Sequence, residues 1–220
     1  MTKLTLLHLS DIHIKSVDTL DDKTVEAIVR ALRPHVRNPE QPVGIVLSGD
    51  IAFSGLKEQY EIVQEFLEQL IDQIKREGAG SVFVITAPGN HDCCYAKDDD
   101  TRDFIIDGIN GRSAASAKSI GEVTACQANY FDFADRYQDG RDHRLWWRTT
   151  VDALPASVTI LSLNSAWLSR LDEKEGGKYF PVEQLRAAIP LGSGLTLAVM
   201  HHPPNWFGQQ SYHELRSFFR

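Results

Sequence analysis

Apolar and polar positions along the first half of the chain follow two patterns in turn. Short, mostly apolar runs predict buried strands at 3–9, 43–48 and 81–86. Between these runs, apolar residues recur every three or four positions, which predicts helices at 24–32 and 57–77. The order strand, helix, strand, helix, strand implies parallel strands covered by helices, and therefore an α/β fold.

The second half of the chain departs from this alternation. Residues 93–119 are polar and irregular, and we interpret them as an insertion near the functional site of a single domain spanning 1–220. Strand and helix patterns then resume, with helices and strands interspersed. The predicted helices are 120–138, 181–189 and 211–220, and the predicted strands are 143–151, 157–163 and 195–200.

Polar clusters follow the predicted strands at the points where those strands end. In open α/β sheets, ligands bind beyond the carboxyl ends of the strands, so these side chains are expected to meet. Four strand ends carry residues of the metal-binding types. These residues are Asp11 and His13, then Asp50, then Asn90 and His91, then His201.

Oxygen and imidazole groups together suit Mn, Fe or Zn better than Ca. In an extended segment, positions i and i+2 point the same way, so Asp11 and His13 are predicted to bind one ion together. Asp50 can place one carboxylate oxygen on each of two ions and bridge them. A centre with two ions about 3.5–4 Å apart makes a hydroxide nucleophile and holds a phosphate for in-line attack.

Four segments together resemble the calcineurin-like metallophosphoesterase superfamily: DIH (11–13), GDIAFSG (49–55), GNHD (89–92) and HHPP (201–204). Their order and approximate spacing match, and they span nearly the whole chain. The segment LNSAW (163–167) also resembles a subset of bacterial members. The fold that this resemblance implies is α/β, with two packed mixed β-sheets flanked by helices and the site at the strand ends.

The resemblance implies a metal-binding role for five residues. Asp11 and His13 would hold the first metal ion, and Asp50 would bridge the two ions. Asn90 would bind the second ion through its side-chain oxygen, and His201 would be a further ligand of that ion. The implied cofactors are therefore two divalent metal ions, with Mn, Fe and Zn as the candidates.

The resemblance also implies two catalytic residues. His91 would not bind metal, but would face the phosphate and donate a proton to the leaving oxygen or stabilise charge there. Asp92 would orient or polarise His91. The implied function is hydrolysis of a phosphomonoester or phosphodiester. Cyclic nucleotides, nucleic-acid ends, phosphoproteins and small phosphate esters are all open as substrates.

The end of the chain departs from the family pattern. The family site is normally completed by a late Gly-His-x-His segment, and this chain contains no Gly-His pair. We therefore expect the C-terminal part of the domain to be missing and the gene to continue past residue 220, where further domains can follow. The missing segment keeps an alternative function open, a catalytically impaired metal-binding or regulatory module of a larger protein.

Composition narrows the partners and the compartment. The net charge of −7 argues against a protein that coats nucleic acid by charge alone, and the lack of a basic stripe favours small substrates. The three cysteines are odd in number and two of them are adjacent, which favours a reducing, cytoplasmic location. No apolar stretch is long enough to span a membrane, so no membrane partner is expected.

Several polar residues near the motifs have two interpretations from sequence. His202 is the spare member of the doubled histidine, and it is either a residue that packs or supports a neighbouring ligand, or a ligand itself. Asn164 ends a predicted strand on the site side, as a structural residue or as a substrate contact. Cys93 and Cys94 follow GNHD directly, either as small buried residues or as groups that touch the site.

Overall fold

The computed structural model describes residues 3–17, 22–97, 100–110, 115–138, 143–153, 156–189 and 194–220. The strands in these ranges are Thr5–Leu9 (β1), Pro42–Ser48 (β2), Ser81–Ala87 (β3), Trp146–Ala153 (β4), Ala156–Leu163 (β5) and Leu195–Val199 (β6). The helices are Asp22–Leu32 (α1), Lys57–Arg76 (α2), Asp100–Ile109 (α3), Ala117–Val123 (α4), Ala128–Ala134 (α5), Val182–Ala188 (α6) and Gln209–Phe218 (α7).

The first sheet has the strand order β1-β2-β3, and all three strands run parallel. The central strand β2 is buried along its whole length, as its mostly apolar sequence requires. Leu9 pairs with Leu47, and Leu47 pairs with Thr86, so the three carboxyl ends lie at one edge. The loops that carry Asp11, Asp50 and Asn90 therefore start side by side.

The second sheet has the order β4-β5-β6 and is mixed, because β4 and β5 are antiparallel while β5 and β6 are parallel. The two sheets pack against each other through an apolar layer. Val46 and Ile85 contribute to it from the first sheet, and Val158 and Ile160 from the second. The packed two-sheet arrangement implied by the resemblance is confirmed, but only the second sheet is mixed, because the described strands of the first all run parallel. The packing brings the end of β6 toward the end of β2.

Helices cover the outer faces of both sheets. The α2 helix buries Tyr60, Val63, Leu67, Leu70 and Ile74 in a core that also includes residues of α1, α5 and the first sheet. A second core joins residues of α3, α4, α6 and α7 to the second sheet. None of the helices in the described ranges is both long and apolar enough to cross a membrane.

Two expectations for the second half are wrong. The stretch 93–119 is not irregular, because α3 lies within it and α4 begins in it. The buried face of α3 is not wholly apolar, so hydrophobic spacing does not predict the helix. Ile106 and Ile109 are buried, but so is Arg102, which donates a hydrogen bond to the Val123 carbonyl oxygen (2.8 Å). The interpretation of this stretch as an insertion stays a prediction, and residues 98–99 and 111–114 lie outside the described ranges.

The predicted helix at 120–138 is also corrected, because the chain forms α4, a short 3-10 turn and then α5 instead of one helix. The remaining predicted strands and helices are confirmed, with ends that differ by a few residues at most. The expected burial of the first strand is wrong, because β1 lies at an edge of its sheet and its residues are alternately half-buried and exposed. The helix predicted at 211–220 corresponds to α7. The fold class and the order of the other elements thus follow from the sequence, whereas the helices between residues 93 and 138 do not.

Candidate metal centre

The loops after β1 and β2 run alongside each other and hold the first candidate ligands. The Asp11 N–H donates to the Gly49 carbonyl oxygen (3.1 Å), and the His13 N–H donates to the Asp50 carbonyl oxygen (2.9 Å). Ile14 then pairs with Ala52 as an isolated parallel bridge. These backbone bonds place Asp11 and His13 opposite the loop that carries Asp50.

Asp11, His13 and Asp50 all have left-handed backbone conformations, with φ values of 55°, 51° and 51°. They are the residues other than glycine with positive φ in the part of the chain that the structure describes. Such conformations cost about 1 kcal/mol or more each and concentrate at functional sites. The neighbouring backbone hydrogen bonds hold them in place.

This backbone geometry corrects the argument for Asp-x-His. Positions i and i+2 share a face only in an extended segment, but Asp11 and His13 are both left-handed. Their side chains reach Asp50 because each residue's backbone is bonded to the β2 loop, not because a strand alternates. The two residues also fall in different clusters of possible ligand atoms, as described below.

Asp50 is the centre of the site. Its side chain is buried, with 4% of the residue exposed, and Oδ2 lies 3.6 Å from His13 Nε2 and 3.4 Å from His201 Nε2. Its other oxygen, Oδ1, accepts a hydrogen bond from the His91 backbone N–H (2.9 Å). A buried carboxylate needs such partners, because burial without them is costly.

Two groups of ligand atoms share Asp50. One group is His13, Asp50 and His91, and the other is Asp11, Asp50 and His201. Within each group the ligand atoms all lie within 4.8 Å of one another. The partition differs from the expected one, in which Asp11 and His13 bind one ion together. The shared position of Asp50, however, is the one that a bridging ligand occupies.

Two imidazoles are oriented by backbone carbonyl groups. His201 Nδ1 lies 3.2 Å from the Ser48 carbonyl oxygen, and His91 Nδ1 lies 2.8 Å from the Phe53 carbonyl oxygen. A carbonyl oxygen only accepts, so Nδ1 carries the hydrogen in both rings and Nε2 is left for other chemistry. Carbonyl partners of this kind are usual for metal-binding histidines.

The residues present fit a metal ion. His13 Nδ1 is buried and has no hydrogen-bond partner among the residues that the structure describes. The other ring nitrogen, Nε2, is the one that lies near Asp50 Oδ2 (3.6 Å), so the fit to a metal ion rests on the donor set around Asp50. The donors in the two groups are carboxylate oxygens and imidazole nitrogens, a set that suits Mn, Fe or Zn.

Asn90 begins a short 3-10 turn, Asn90–Asp92, directly after β3. It is half-buried, and its side chain forms no hydrogen bond within the described ranges. Its amide oxygen is therefore available as a ligand, as the resemblance implies. The backbone carbonyl of Asn90 accepts a hydrogen bond from the Tyr95 hydroxyl (3.3 Å), which helps to fix the turn.

Asp92 does not contact the His91 imidazole, so its expected role in orienting that ring is wrong. Its carboxylate is fully buried and accepts hydrogen bonds from four groups, three of them backbone N–H groups. The donors are the N–H groups of Gly89 (2.9 Å), Ile51 (3.3 Å) and Ala52 (2.9 Å), and the Tyr60 hydroxyl (2.8 Å). Successive residues of a 3-10 turn point about 120° apart, so Asp92 turns inward where His91 turns outward.

The buried position of Asp92 shifts its titration. Burial raises the pKa of the Asp92 carboxyl, and the hydrogen bonds from Gly89, Ala52 and Tyr60 oppose that effect. Asp92 joins the loop after β2 to the loop after β3, and it therefore fixes the positions of Asp50 and His91 relative to each other. Asp92 is therefore a positioning residue. The Phe53 carbonyl oxygen, and not Asp92, orients the His91 imidazole.

Two glycines are required by close approach to these side chains. A Cβ on Gly89 would lie 2.1 Å from Asp50 Oδ1, so only glycine leaves room for the carboxylate. Gly49 has φ +98°, and a Cβ there would lie 2.6 Å from the His201 Cβ. The role of Gly49 in turning the chain around Asp50 is expected from its motif, whereas that of Gly89 becomes visible only in the structure.

His202 is buried behind His201 in a polar network, which favours its interpretation as a packing or supporting residue over that as a ligand. The Ser165 Oγ lies 3.0 Å from His202 Nδ1 and accepts the His202 backbone N–H (3.0 Å). Glu173 Oε2 lies 3.1 Å from His202 Nε2, and Glu173 Oε1 lies 2.6 Å from Lys178 Nζ. The network thus ties the loop after β5 to the residue next to His201.

The groups of this network have shifted pKa values. Burial alone would raise the pKa of Glu173, but the hydrogen bond from His202 and the charge of Lys178 outweigh it and lower the pKa to about 2. Burial lowers the pKa of His202 to about 4. Burial also lowers the pKa of Lys178, against the attraction of Glu173. Glu173 is therefore ionised and His202 neutral at neutral pH.

Replacing Glu173 by glutamine is expected to destabilise the fold by about 3 kcal/mol at pH 7, because it leaves the Lys178 ammonium buried without its counter-charge. The folded pKa of Glu173 is depressed, so its contribution is present above pH 4.5 and declines as the pH falls toward 2. Urea unfolding of the wild type and the variant at pH 7 and pH 3.5 measures this, and the difference between them should narrow at the lower pH.

Glu183→Gln provides a matched control. Glu183 is exposed on the surface of α6, and its Oε1 atom lies 3.7 Å from Arg186 Nε. Its effect should stay below about 0.5 kcal/mol. Equal stability of the Glu173→Gln variant and this control would refute the role of the buried pair.

Asn164 is a structural residue. It is fully buried, and its Nδ2 group donates to Gln127 Oε1 (2.7 Å) and to the Arg144 carbonyl oxygen (3.0 Å). Its Oδ1 atom accepts from the Ala166 backbone N–H (3.2 Å) and from Gln127 (3.3 Å). These bonds occupy both ends of the amide, which leaves no group to contact a substrate.

The adjacent cysteines also differ in their surroundings. Cys93 is buried, and burial raises the pKa of its thiol, which favours the interpretation as a small buried residue. Cys94 is half-buried, and its backbone N–H donates to the Cys126 carbonyl oxygen (2.7 Å). The loop after His91 is thereby fastened to the start of α5.

Comparison with known proteins agrees with the geometry. The family model for calcineurin-like phosphoesterases matches residues 4–218, almost the whole chain. A search of curated proteins finds no match. The resemblance carried by the four motifs is thus confirmed at the level of the superfamily, while the likeness of LNSAW to bacterial members stays a prediction. The chain belongs to the calcineurin-like phosphoesterase family.

Proposed function

We propose that this protein hydrolyses a phosphomonoester or phosphodiester with the help of two divalent metal ions. One observation supports the proposal most strongly: the buried carboxylate of Asp50 belongs to two clusters of metal-binding side chains at once. Family membership supports metal-dependent phosphoester hydrolysis in general. The dinuclear centre and the choice among Mn, Fe and Zn go beyond that membership.

Five residues would hold the ions: Asp11, His13, Asp50, Asn90 and His201. When bound, the two ions supply positive charge that neutralises phosphoryl oxygens and lowers the pKa of water. The contributions of the chain itself are orientation and position. Ser48 and Gly49 fix His201 and the turn at Asp50, while Asp92 joins the loops that carry Asp50 and His91.

His91 would assist the departure of the leaving group. Its Nδ1–H group is engaged by the Phe53 carbonyl oxygen, so a proton on Nε2 faces the side of the ring that is not bonded to protein. Its backbone N–H reaches Asp50 Oδ1, which places the residue beside the proposed metal centre. A protonated His91 can therefore give its Nε2 proton to the leaving oxygen or stabilise negative charge there.

The proposed substrates are small phosphoesters, with nucleotides among them. The net charge of −7 and the absence of a basic stripe in the sequence favour small molecules over nucleic-acid duplexes. We also propose a cytoplasmic location, supported by the three cysteines, which form no disulfide with one another.

Metal content and turnover test this function together. The purified chain should bind two Mn²⁺ ions in a calorimetric titration. It should hydrolyse bis(4-nitrophenyl) phosphate or 4-nitrophenyl phosphate only with added metal, and a chelator should abolish the activity. The ratio of rates on the two substrates distinguishes a diesterase from a monoesterase. His213→Ala is a matched control, because His213 is exposed on α7 and should leave both readouts unchanged.

Two outcomes would contradict the proposal. Binding of two ions without turnover above that of His91→Ala would identify a metal-binding module instead of an enzyme. Turnover that is equal with and without metal would exclude the dinuclear mechanism.

A further inference from the structure

A cavity of about 480 Å³ opens beside His91. His91 and Asn90 form one side of it. The rest of the lining is mostly apolar and includes Phe53, Leu56, Tyr95 and Leu171, together with Ser54, Ala96, Arg170 and the two cysteines at 93–94. This volume lies within the range of about 300–1,000 Å³ that is usual for small-molecule sites.

The walls of this cavity are apolar and exposed at the same time. Leu171 is 82% exposed, Leu56 is 40% exposed and Phe53 is 39% exposed. The described part of the chain has seven exposed large apolar side chains, and these three of the seven border the same cavity. Covering such side chains is favourable by about 25 cal/mol per Å² of apolar surface, so the cavity favours an apolar occupant.

The cavity provides no unpaired positive charge. Among the described residues that line the cavity, Arg170 is the one with a lysine or arginine side chain. Its Nε atom lies 2.8 Å from Asp103 Oδ1, and its Nη2 atom lies 2.6 Å from Asp107 Oδ1. Two carboxylates thus compensate one guanidinium. The Lys15 ammonium lies 3.9 Å from the centre of the Phe53 ring but does not line the cavity. Apart from His91 itself, these walls offer no unpaired cation to a second phosphate or a carboxylate on the occupant.

The position of His91 identifies which part of a substrate would enter. A ring nitrogen of His91 lies within 4.8 Å of the ligand atoms of His13 and Asp50, and the same ring borders the cavity, with 5.5 Å between its centroid and that of the Phe53 ring. A group that leaves phosphorus and takes a proton from His91 departs toward these rings. Aromatic walls favour stacking with a ring of the departing group.

We propose that this cavity binds the leaving group of the substrate, and that this group is an uncharged alcohol carrying a ring, such as a nucleoside or an aryl alcohol. The assignment rests on the proposed function, because it takes the phosphoryl group to lie at Asp50. It adds a substrate class to that function and a specificity-determining residue, Leu171.

Binding of non-hydrolysable phosphonates to the manganese-loaded protein tests the proposal without any need for turnover. Benzylphosphonate replaces the bridging oxygen of phenyl phosphate by a methylene group, and ethylphosphonate lacks the ring. By calorimetry, we expect benzylphosphonate to bind at least about fivefold more tightly than ethylphosphonate, which corresponds to roughly 1 kcal/mol. A carboxylate in the para position of the benzyl ring should remove this advantage.

Leu171→Asp should abolish the preference for the ring, because it places a carboxylate on the apolar wall. Leu195→Asp is the matched control: Leu195 is also exposed (59%) but begins β6, at the opposite end of that strand from His201. It should retain the wild-type preference. Both variants alter an exposed side chain, so neither should disturb folding.

The outcomes separate this inference from the proposed function. Equal affinity for the two phosphonates, no binding of either, or a ring preference that survives in Leu171→Asp would overturn the inference even if the enzyme is active. A ring preference that depends on Leu171 in a protein without turnover would uphold the cavity and refute hydrolysis.

Discussion

Replacing Asp50 by asparagine is expected to abolish the binding of both metal ions and to lower turnover on the order of a thousandfold. The carboxylate belongs to both clusters of ligand atoms, and an amide offers one neutral oxygen where two negatively charged ones are needed. A loss of this size corresponds to about 4 kcal/mol of transition-state stabilisation.

Calorimetric Mn²⁺ titration and thermal unfolding measure the result for Asp50→Asn. Added Mn²⁺ should raise the unfolding temperature of the wild type and leave that of the variant unchanged, because only the wild type binds the ion. The metal-free variant should fold, since an amide is less costly to bury than an unpaired carboxylate.

Asp72→Asn is the matched control, since Asp72 is exposed on α2 and belongs to neither cluster. It should bind two ions and keep full activity. If Asp50→Asn bound two ions with unchanged affinity, the assignment of Asp50 as the bridging ligand would be wrong.

Replacing His91 by glutamine is expected to lower turnover by about 10²–10⁴-fold while the number of bound metal ions stays the same. Loss of a general acid has this magnitude. The loss should be larger for a phenyl ester than for a 4-nitrophenyl ester, because nitrophenolate departs without much help from a proton. The measurement is kcat on both esters, together with metal content.

This experiment also decides between two roles for His91. The structure places His91 in a cluster with His13 and Asp50, so metal binding by its imidazole is an alternative to proton donation. A ligand would show a loss of one metal ion in the variant and an equal loss of turnover on both esters. The exposed His213→Gln variant should show neither effect.

Local patterns are sufficient to predict most of the fold. The β2 strand is buried along its whole length and α2 buries one face, so their burial is visible in hydrophobic spacing, whereas β1 alternates between half-buried and exposed residues. The α3 helix escapes this logic, because Arg102 is buried by hydrogen bonds to the carbonyl oxygens of Val123 and Ser169. A charged residue such as Arg102 is expected to be exposed from its type alone. Hydrogen-bond partners that are distant in sequence bury it instead.

The candidate ligands could also be predicted, for a reason of topology. Parallel strands end at one edge, so polar residues that follow them must meet. What could not be predicted is which atoms meet: Asp92 bonds to the loop after β2 and to Tyr60 rather than to His91, and the Phe53 carbonyl orients His91 instead. Those partners lie far apart in sequence, and no spacing rule relates them.

The amino-acid sequence alone thus determines the family, the set of candidate ligands and the order of strands and helices outside residues 93–138, because burial and backbone preference act over a few residues. The tertiary structure decides the left-handed conformations at Asp11, His13 and Asp50, the buried pair of Glu173 and Lys178, and the cavity beside His91. Each of these depends on distances between segments that only the packing of the two sheets brings together.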